Sequence, residues 1–133
     1  MNLFFDTNIL LDVALRREPH FSASETVLRD AIENHSCHIS WHTVSNLSYI
    51  LGKLEGAEAA HLFIRNITSV CRIAPVQHSD LEIAFQYDHG DFEDAMQIAS
   101  ALACDAELIV TRDPAGFSKS PIPLSNPQSQ SAG

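Results

Sequence analysis

Short apolar segments alternate with segments of helical spacing along almost the whole chain, and this alternation restricts the fold more than any other feature. The apolar segments are short enough to be buried strands, and in chain order they read NLFF, CHIS, CRIAPV, AELIVT and IPLS. Between them, apolar residues recur every three or four positions, as in TNILLDVAL and SETVLRDAIENH. Because parallel strands need such crossovers, we predict an α/β fold of three layers, α/β/α, with a central and mainly parallel sheet.

The length of the chain suits a single domain. It has 133 residues, of which 45% are hydrophobic, and no linker or internal repeat divides it. We predict one domain over residues 1–124. Residues 125–133, SNPQSQSAG, are polar and are expected to form a frayed tail.

The composition favours a cytoplasmic protein without membrane contact. No apolar run approaches the roughly 20 residues that a membrane helix needs. The first residues, MNLFFDTN, lack the basic start of a signal peptide. The cysteines, odd in number and each set among apolar neighbours, are expected to be buried free thiols rather than disulfides; they are Cys37, Cys71 and Cys104.

The net charge of −9 argues against a protein whose whole surface binds nucleic acid, because phosphate neutralisation requires Lys and Arg. It leaves room for a site in which several acids bind one divalent cation, which in turn attracts phosphate. Acids do follow the predicted strands: Asp6 comes after NLFF, and Asp113 comes after LIVT. Asp91 and Asp94 open a helix expected to start at the same sheet edge. Ligands bind at this edge in such folds, so we expect Asp6, Asp94 and Asp113 to converge.

Each of these acids also has a structural interpretation. Asp6 is placed to cap the following helix, a role compatible with binding a ligand. Asp91 fits a helix N-cap as well as it fits a metal ligand. Asp113 precedes Pro114 and suits a turn, where Thr111 is expected to face the same cleft. The remaining acids are expected to be solvated or to cap helices: Asp12, Asp80, Asp88, Glu93 and Asp105.

Carboxylate oxygens are hard ligands, so the converging acids indicate Mg²⁺ or Mn²⁺. Such an ion activates water and stabilises charge on a phosphoryl oxygen. Zinc is a weaker alternative, because His35, Cys37, His38 and His42 span a strand whose successive side chains point to opposite faces. The chain has no glycine-rich phosphate loop.

Four segments resemble the PIN domain, the α/β nuclease module of VapC-type toxin–antitoxin ribonucleases. They are FFDTNILLDVAL, SWHTVSNLSYIL, DFEDAMQIASALA and ELIVTRDPAGF. The resemblance implies that Asp6, Asp94 and Asp113 hold Mg²⁺ or Mn²⁺. It also implies that Asn8 and Thr111 are polar supports.

The second segment departs from the family, which has a Glu where this chain offers Asn46. An amide oxygen can coordinate a cation but brings no charge. Asp91 is the candidate to compensate. Two functions follow: a metal-dependent endoribonuclease that acts as the toxin of a toxin–antitoxin pair, or a catalytically weakened domain that binds protein or RNA.

The partners implied are an RNA substrate, an antitoxin protein and a second copy of the chain in a homodimer. We expect Arg16, Arg17 and Arg112 to lie near the cleft and to contact RNA, with ordinary surface charge as the alternative. The helical face of Leu47, Ile50 and Leu51 is a candidate dimer surface or part of the core. A receiver domain fits poorly because FFDTN has one acid, and a haloacid-type phosphatase would need an Asp where Asn8 stands.

Overall fold

The computed structural model describes residues 1–128, which form five strands and six α-helices. The first half of the chain contains β1 (Asn2–Phe5), α1 (Thr7–Leu15), α2 (Phe21–Asn34), β2 (Ser36–Ile39), α3 (Trp41–Glu55) and α4 (Ala57–Thr68). The second half contains β3 (Cys71–Ile73), α5 (Asp80–Gln86), α6 (Phe92–Ala103), β4 (Leu108–Val110) and β5 (Leu124–Ser125). A short 3₁₀-helix, Pro114–Phe117, lies between β4 and β5.

The strands form one parallel sheet in the order β3-β2-β1-β4-β5. Leu3 of β1 pairs with Cys37 of β2 on one side and with Leu108 of β4 on the other. β2 and β3 therefore lie on one side of β1, and β4 and β5, which come later in the chain, lie on the other side. The change of direction creates a crevice at the carboxyl ends of β1 and β4, which is where ligands bind in such sheets.

β1 contributes to both hydrophobic cores because alternate side chains of a strand point to opposite faces. Leu3 and Phe5 belong to the core that also contains Leu10 of α1. Phe4 belongs to a second core with Ile98 of α6 and Ile109 of β4. Helices thus cover both faces, and the predicted α/β/α fold is confirmed.

The second helix begins earlier than the segment SETVLRDAIENH that predicts it. α1 ends at Leu15, as the segment TNILLDVAL indicates, and Arg16 adopts a left-handed conformation with φ 52°. α2 begins at Phe21, three residues before Ser24. Ser24 already donates its backbone N–H to the His20 carbonyl, which makes it an interior helical residue.

The segment predicted as a tail begins inside the sheet. Ser125 is the last residue of β5 and pairs with Val110. Pro127 is buried, and the Asn126 side chain accepts a hydrogen bond from the Gln128 backbone at 2.9 Å. Residues 129–133 lie outside the described residues.

The three cysteines, Cys37, Cys71 and Cys104, are buried free thiols, as predicted. Among residues 1–128, no helix combines the length and the apolar character required to cross a membrane. Leu47 and Leu51 of α3 are 0% and 3% exposed. They belong to the core, which is the second of the two alternatives given for this helical face.

Candidate active site

Asp6 stands at the carboxyl end of β1 and is the first residue after the strand. Its backbone N–H donates to the Val110 carbonyl of β4, which places it in the crevice between the two strands. Its Oδ1 accepts from Thr7 N at 2.8 Å, and its Oδ2 accepts from the Thr111 hydroxyl at 2.9 Å. Asp6 therefore caps α1 and faces the crevice at the same time.

Burial raises the pKa of Asp6 above its ordinary value, and the nearby charge of Asp113 acts in the same direction. Hydrogen bonds from Thr111, Thr7 and Gln97 oppose this effect. A carboxylate that remains costly to ionise despite these donors is one that a cation would stabilise.

Asp94 and Asp113 approach each other around Gly116. A Cβ atom added to this glycine would lie 2.9 Å from Asp113 Oδ2 and 3.0 Å from Asp94 Oδ2. The pKa of Asp94 is raised to about 6 by burial and then by neighbouring acids: Asp91, Asp113, Asp6 and Glu93. The glycine thus leaves room for two carboxylates that repel each other.

One cavity of about 290 Å³ at this edge of the sheet is lined by five of the predicted site residues: Asp6, Asp94, Asp113, Asn8 and Asn46. Four acids, two asparagines, a histidine and a glutamine are among the residues that line it: Asp6, Asp94, Asp113, Glu93, Asn8, Asn46, His42 and Gln97. A larger and mainly apolar cavity of about 520 Å³ adjoins it through His42. We place the chemistry in the smaller cavity because the converging aspartates are there.

Asp91 lies beside this cavity rather than in its lining. Its Oδ1 accepts from the Glu93 backbone at 2.9 Å, so it is the N-cap of α6. With Asp94 it lines a separate cavity of about 110 Å³. Its role as a cap is visible in the structure, whereas its role as a metal ligand stays a prediction.

The arginines predicted to contact RNA have partners within the chain. Arg112 donates from Nε and Nη2 to the two oxygens of Asp12, at 2.7 and 2.9 Å. The guanidinium of Arg16 lies over the Phe21 ring, 5.7 Å from its centroid. Arg17 also bonds Asp12. Contact of any of them with RNA stays a prediction.

The prediction that Asp12 is a surface or capping acid is wrong. Asp12 is 0% exposed and accepts hydrogen bonds from Arg112, Arg17 and Ser24. Burial raises the pKa of this carboxyl, but the donors and the two positive charges hold it below its ordinary value.

Sequence reasoning missed several polar residues of the cavity. Gln97 is 5% exposed and donates to the Thr43 hydroxyl at 3.2 Å, and its Oε1 is buried without a partner among the described residues. It lies three positions after Asp94 on α6, so its place in an otherwise apolar stripe was a usable signal. The Glu93 side chain is 64% exposed, as predicted for a solvated acid, and it also pairs with His42 at 3.3 Å.

The donor set fits a hard divalent cation. Three aspartates and the amides of Asn46 and Gln97 offer only oxygen ligands from carboxylate or amide groups, and the buried Gln97 oxygen has no partner among residues 1–128. In that same part of the chain, no three Asp, Glu, His or Cys side chains form a closed ligand cluster. Mg²⁺ needs no such cluster, since it keeps several waters and uses one or two carboxylates.

The chain matches the sequence model of the PIN domain over residues 2–115 and therefore belongs to the PIN domain family. No curated protein matches the sequence.

Solved structures of toxin–antitoxin proteins have the same fold. VapBC2 of Rickettsia felis, bound to a DNA fragment from its promoter, has a chain 19% identical with a TM-score of 0.74, covering 95% of this chain and 98% of that chain. VapBC-1 of nontypeable Haemophilus influenzae is 14% identical with a TM-score of 0.75, covering 96% and 99%. VapC20 of Mycobacterium tuberculosis, a toxin that cleaves the sarcin-ricin loop, is 15% identical with a TM-score of 0.69, covering 88% and 94%.

Proposed function

We propose that this PIN domain is a metal-dependent endoribonuclease and the toxin of a toxin–antitoxin pair. The observation that supports this most directly is the convergence of Asp6, Asp94 and Asp113 on one cavity at the carboxyl ends of β1 and β4. These acids come from three distant parts of the sequence, and a shared cation would offset the mutual repulsion that their proximity causes.

The three aspartates would hold Mg²⁺ or Mn²⁺, either directly through a carboxylate oxygen or through waters bound to the ion. When bound, such an ion supplies activated water and offsets negative charge on the phosphoryl group. The Thr111 hydroxyl fixes the rotamer of Asp6 by donating to Oδ2 and accepts from the backbone N–H of Asp113 at 2.9 Å. One side chain thus holds two of the acids in a constant relative position, which preorganises the site.

Asn46 gives a reason to keep a second candidate function. It lies in the cavity 3.2 Å from His42 Nε2, so α3 contributes an amide where the family has a charged ligand. A site with one fewer charge binds its cation more weakly. The alternative is therefore a PIN domain with little catalytic activity that binds RNA or a partner protein.

Calorimetry with Mn²⁺ followed by RNA cleavage separates these functions. We expect the wild-type chain to bind Mn²⁺ and to cleave single-stranded RNA, and Asp94→Asn to lose both activities. Glu82→Gln is the matched control, because Glu82 is also an acid in the first turn of a helix but is exposed and does not line the cavity. Binding without cleavage would favour the binding module. Absence of Mn²⁺ binding at millimolar concentration would refute the metal site.

The antitoxin is proposed from the complexes in which similar folds occur, among them FitAcB of Neisseria gonorrhoeae. We expect the product of a short reading frame next to the gene to copurify with this chain and to suppress cleavage. Cleavage that continues at full rate in a stable complex would count against an inhibitory antitoxin.

We also propose that the chain forms a homodimer whose interface is the larger, mainly apolar cavity. Trp41, Val76 and Leu81 line this cavity and are 72%, 48% and 41% exposed. Clustered exposed apolar side chains mark interaction surfaces. Sedimentation equilibrium should show a dimer for the wild type and a monomer for Leu81→Glu. A dimer unaffected by this change would place the interface elsewhere.

A further inference from the structure

The buried carboxylate of Asp12 connects three parts of the fold. It lies on α1 and is 0% exposed, so its charge has to be neutralised by the protein. Ser24 of α2 donates to Oδ2 at 2.9 Å, and Arg17 donates to Oδ1 at 3.1 Å. Arg112, which follows β4, reaches both oxygens with Nε and Nη2.

Of these donors, Arg112 is the one that lies in the loop after β4, between two residues of the candidate active site. Thr111, which binds Asp6, precedes it, and Asp113 follows it. The two-point contact of a guanidinium with a carboxylate fixes the position and the plane of the group. The backbone between Thr111 and Asp113 is therefore anchored to a buried residue of α1.

Asp113 has little else to hold its side chain. The Gly116 backbone N–H donates to its Oδ1 at 3.4 Å, which is a long hydrogen bond. Its backbone N–H is held by Thr111 at 2.9 Å. The direction in which the Asp113 carboxylate points thus depends on how firmly the neighbouring residues are fixed.

We propose that Arg112, clamped by Asp12, is a positioning residue that holds Asp113 in the orientation needed to bind the cation. This inference rests on the proposed metal-dependent function. This role differs from the sequence prediction that Arg112 contacts RNA, because Nε and Nη2 of Arg112 donate to Asp12. Residues that orient metal ligands typically change metal affinity about 10- to 100-fold when they are altered.

The test compares Arg112→Lys with Ser24→Ala. Each change weakens the bonding of the same Asp12 carboxylate, but Ser24 lies on α2, which contributes no residue to the cavity. Mn²⁺ affinity is measured by calorimetry without RNA, and thermal unfolding is measured in EDTA. We expect both variants to unfold at lower temperature, and only Arg112→Lys to bind Mn²⁺ at least about tenfold more weakly.

Cleavage kinetics provide a second readout. Arg112→Lys should lower kcat at saturating RNA while leaving KM within about twofold, since the substrate contacts stay in place. Asp12→Asn keeps the size of the side chain but removes its charge, and it should also lower Mn²⁺ affinity. This variant provides the test if Arg112→Lys does not fold.

Several outcomes would overturn the inference. Unchanged Mn²⁺ affinity in Arg112→Lys would remove the positioning role, and an equal loss in Ser24→Ala would reduce it to general stability. A raised KM for RNA with unchanged Mn²⁺ affinity would make Arg112 a substrate contact instead. Absence of Mn²⁺ binding by the wild-type chain would refute the proposed function as well, which separates that failure from the others.

Discussion

Replacing Asp94 by Asn should stabilise the metal-free protein although it removes a residue of the site. The pKa of Asp94 is raised to about 6 from its ordinary 3.8. At a pH above 6, where Asp94 is ionised, a pKa difference of this size lowers the free energy of unfolding by about 3 kcal/mol. Because the side chain borders a cavity open to solvent, screening reduces the effect to about 1–2 kcal/mol.

One opposing contribution has to be subtracted. Asp94 lies in the first turn of α6, where a negative charge interacts favourably with the helix dipole by about 0.3–1 kcal/mol. The expected net gain for Asp94→Asn at pH 7.5 is about 1 kcal/mol, or about 4 °C in Tm for a domain of this length. Glu82→Gln loses the dipole interaction without relieving any crowding, so its Tm should fall or stay the same.

The assay is thermal unfolding at pH 7.5 in EDTA and again with excess Mn²⁺. Ligand binding to the folded state stabilises it by about 2.7 kcal/mol when the ligand is at 100 times Kd. The wild type should therefore be the less stable protein in EDTA and the more stable one in Mn²⁺. An Asp94→Asn variant less stable than the wild type in EDTA would show that the carboxylate is satisfied within the protein, and the reasoning from charge crowding would be refuted.

Further predictions concern the three aspartates and the residues around them. Mn²⁺ affinity should fall about tenfold per pH unit below pH 6, because Asp94 must lose its proton to bind, and a flat calorimetric profile from pH 5 to 7 would contradict this. Since the folded state binds this proton more tightly than the unfolded chain, the Asp94 contribution should stabilise the metal-free fold as the pH falls from about 7 to about 4. Asn46→Glu should raise Mn²⁺ affinity about tenfold and destabilise the metal-free protein by about 1 kcal/mol, and unchanged calorimetry would place residue 46 away from the ion. Asp91→Asn should keep the Tm within about 1 °C while Asp91→Ala lowers stability by about 1 kcal/mol, as expected of an N-cap; a drop in Mn²⁺ affinity in both variants would instead make Asp91 a ligand. Gly116→Ala should weaken Mn²⁺ binding at least about tenfold with a normal circular dichroism spectrum, because its methyl group would meet Asp113 Oδ2 at 2.9 Å; normal affinity would mean that the carboxylates move aside freely.

The fold and the main acids were accessible to sequence reasoning because their signals are local. A run of apolar residues identifies a buried strand wherever it occurs, and an acid directly after such a run has to lie at the carboxyl edge of the sheet. Asp6 and Asp113 were located in this way. Asp94 could be predicted as a site residue because it lies in the first turn of a helix, close to the apolar side chains that the helix buries.

The contacts between distant residues were not accessible. Asp12 reads as an ordinary helical acid, because its partner Arg112 is separated from it by 100 positions in the sequence. Nothing in the spacing of either residue indicates the other. The surroundings of Asp12 did carry a signal, since its neighbours Ile9, Leu10 and Leu11 are all apolar and all buried. A charge inside such a run needs a partner, but the sequence does not identify it.

The distribution of charge around the cavity decides what this site can bind. The three converging carboxylates come from β1, α6 and the loop after β4, while α3 faces them with Asn46 and His42. His42 in turn pairs with Glu93 of α6, so the negative charge nearest to α3 is already engaged. Under the proposed function, Asp6, Asp94 and Asp113 would hold the cation, and the Asn46 oxygen of α3 would add no charge to it. Such a site would bind a cation more weakly than one with an additional carboxylate on α3, which is the difference that Asn46→Glu tests.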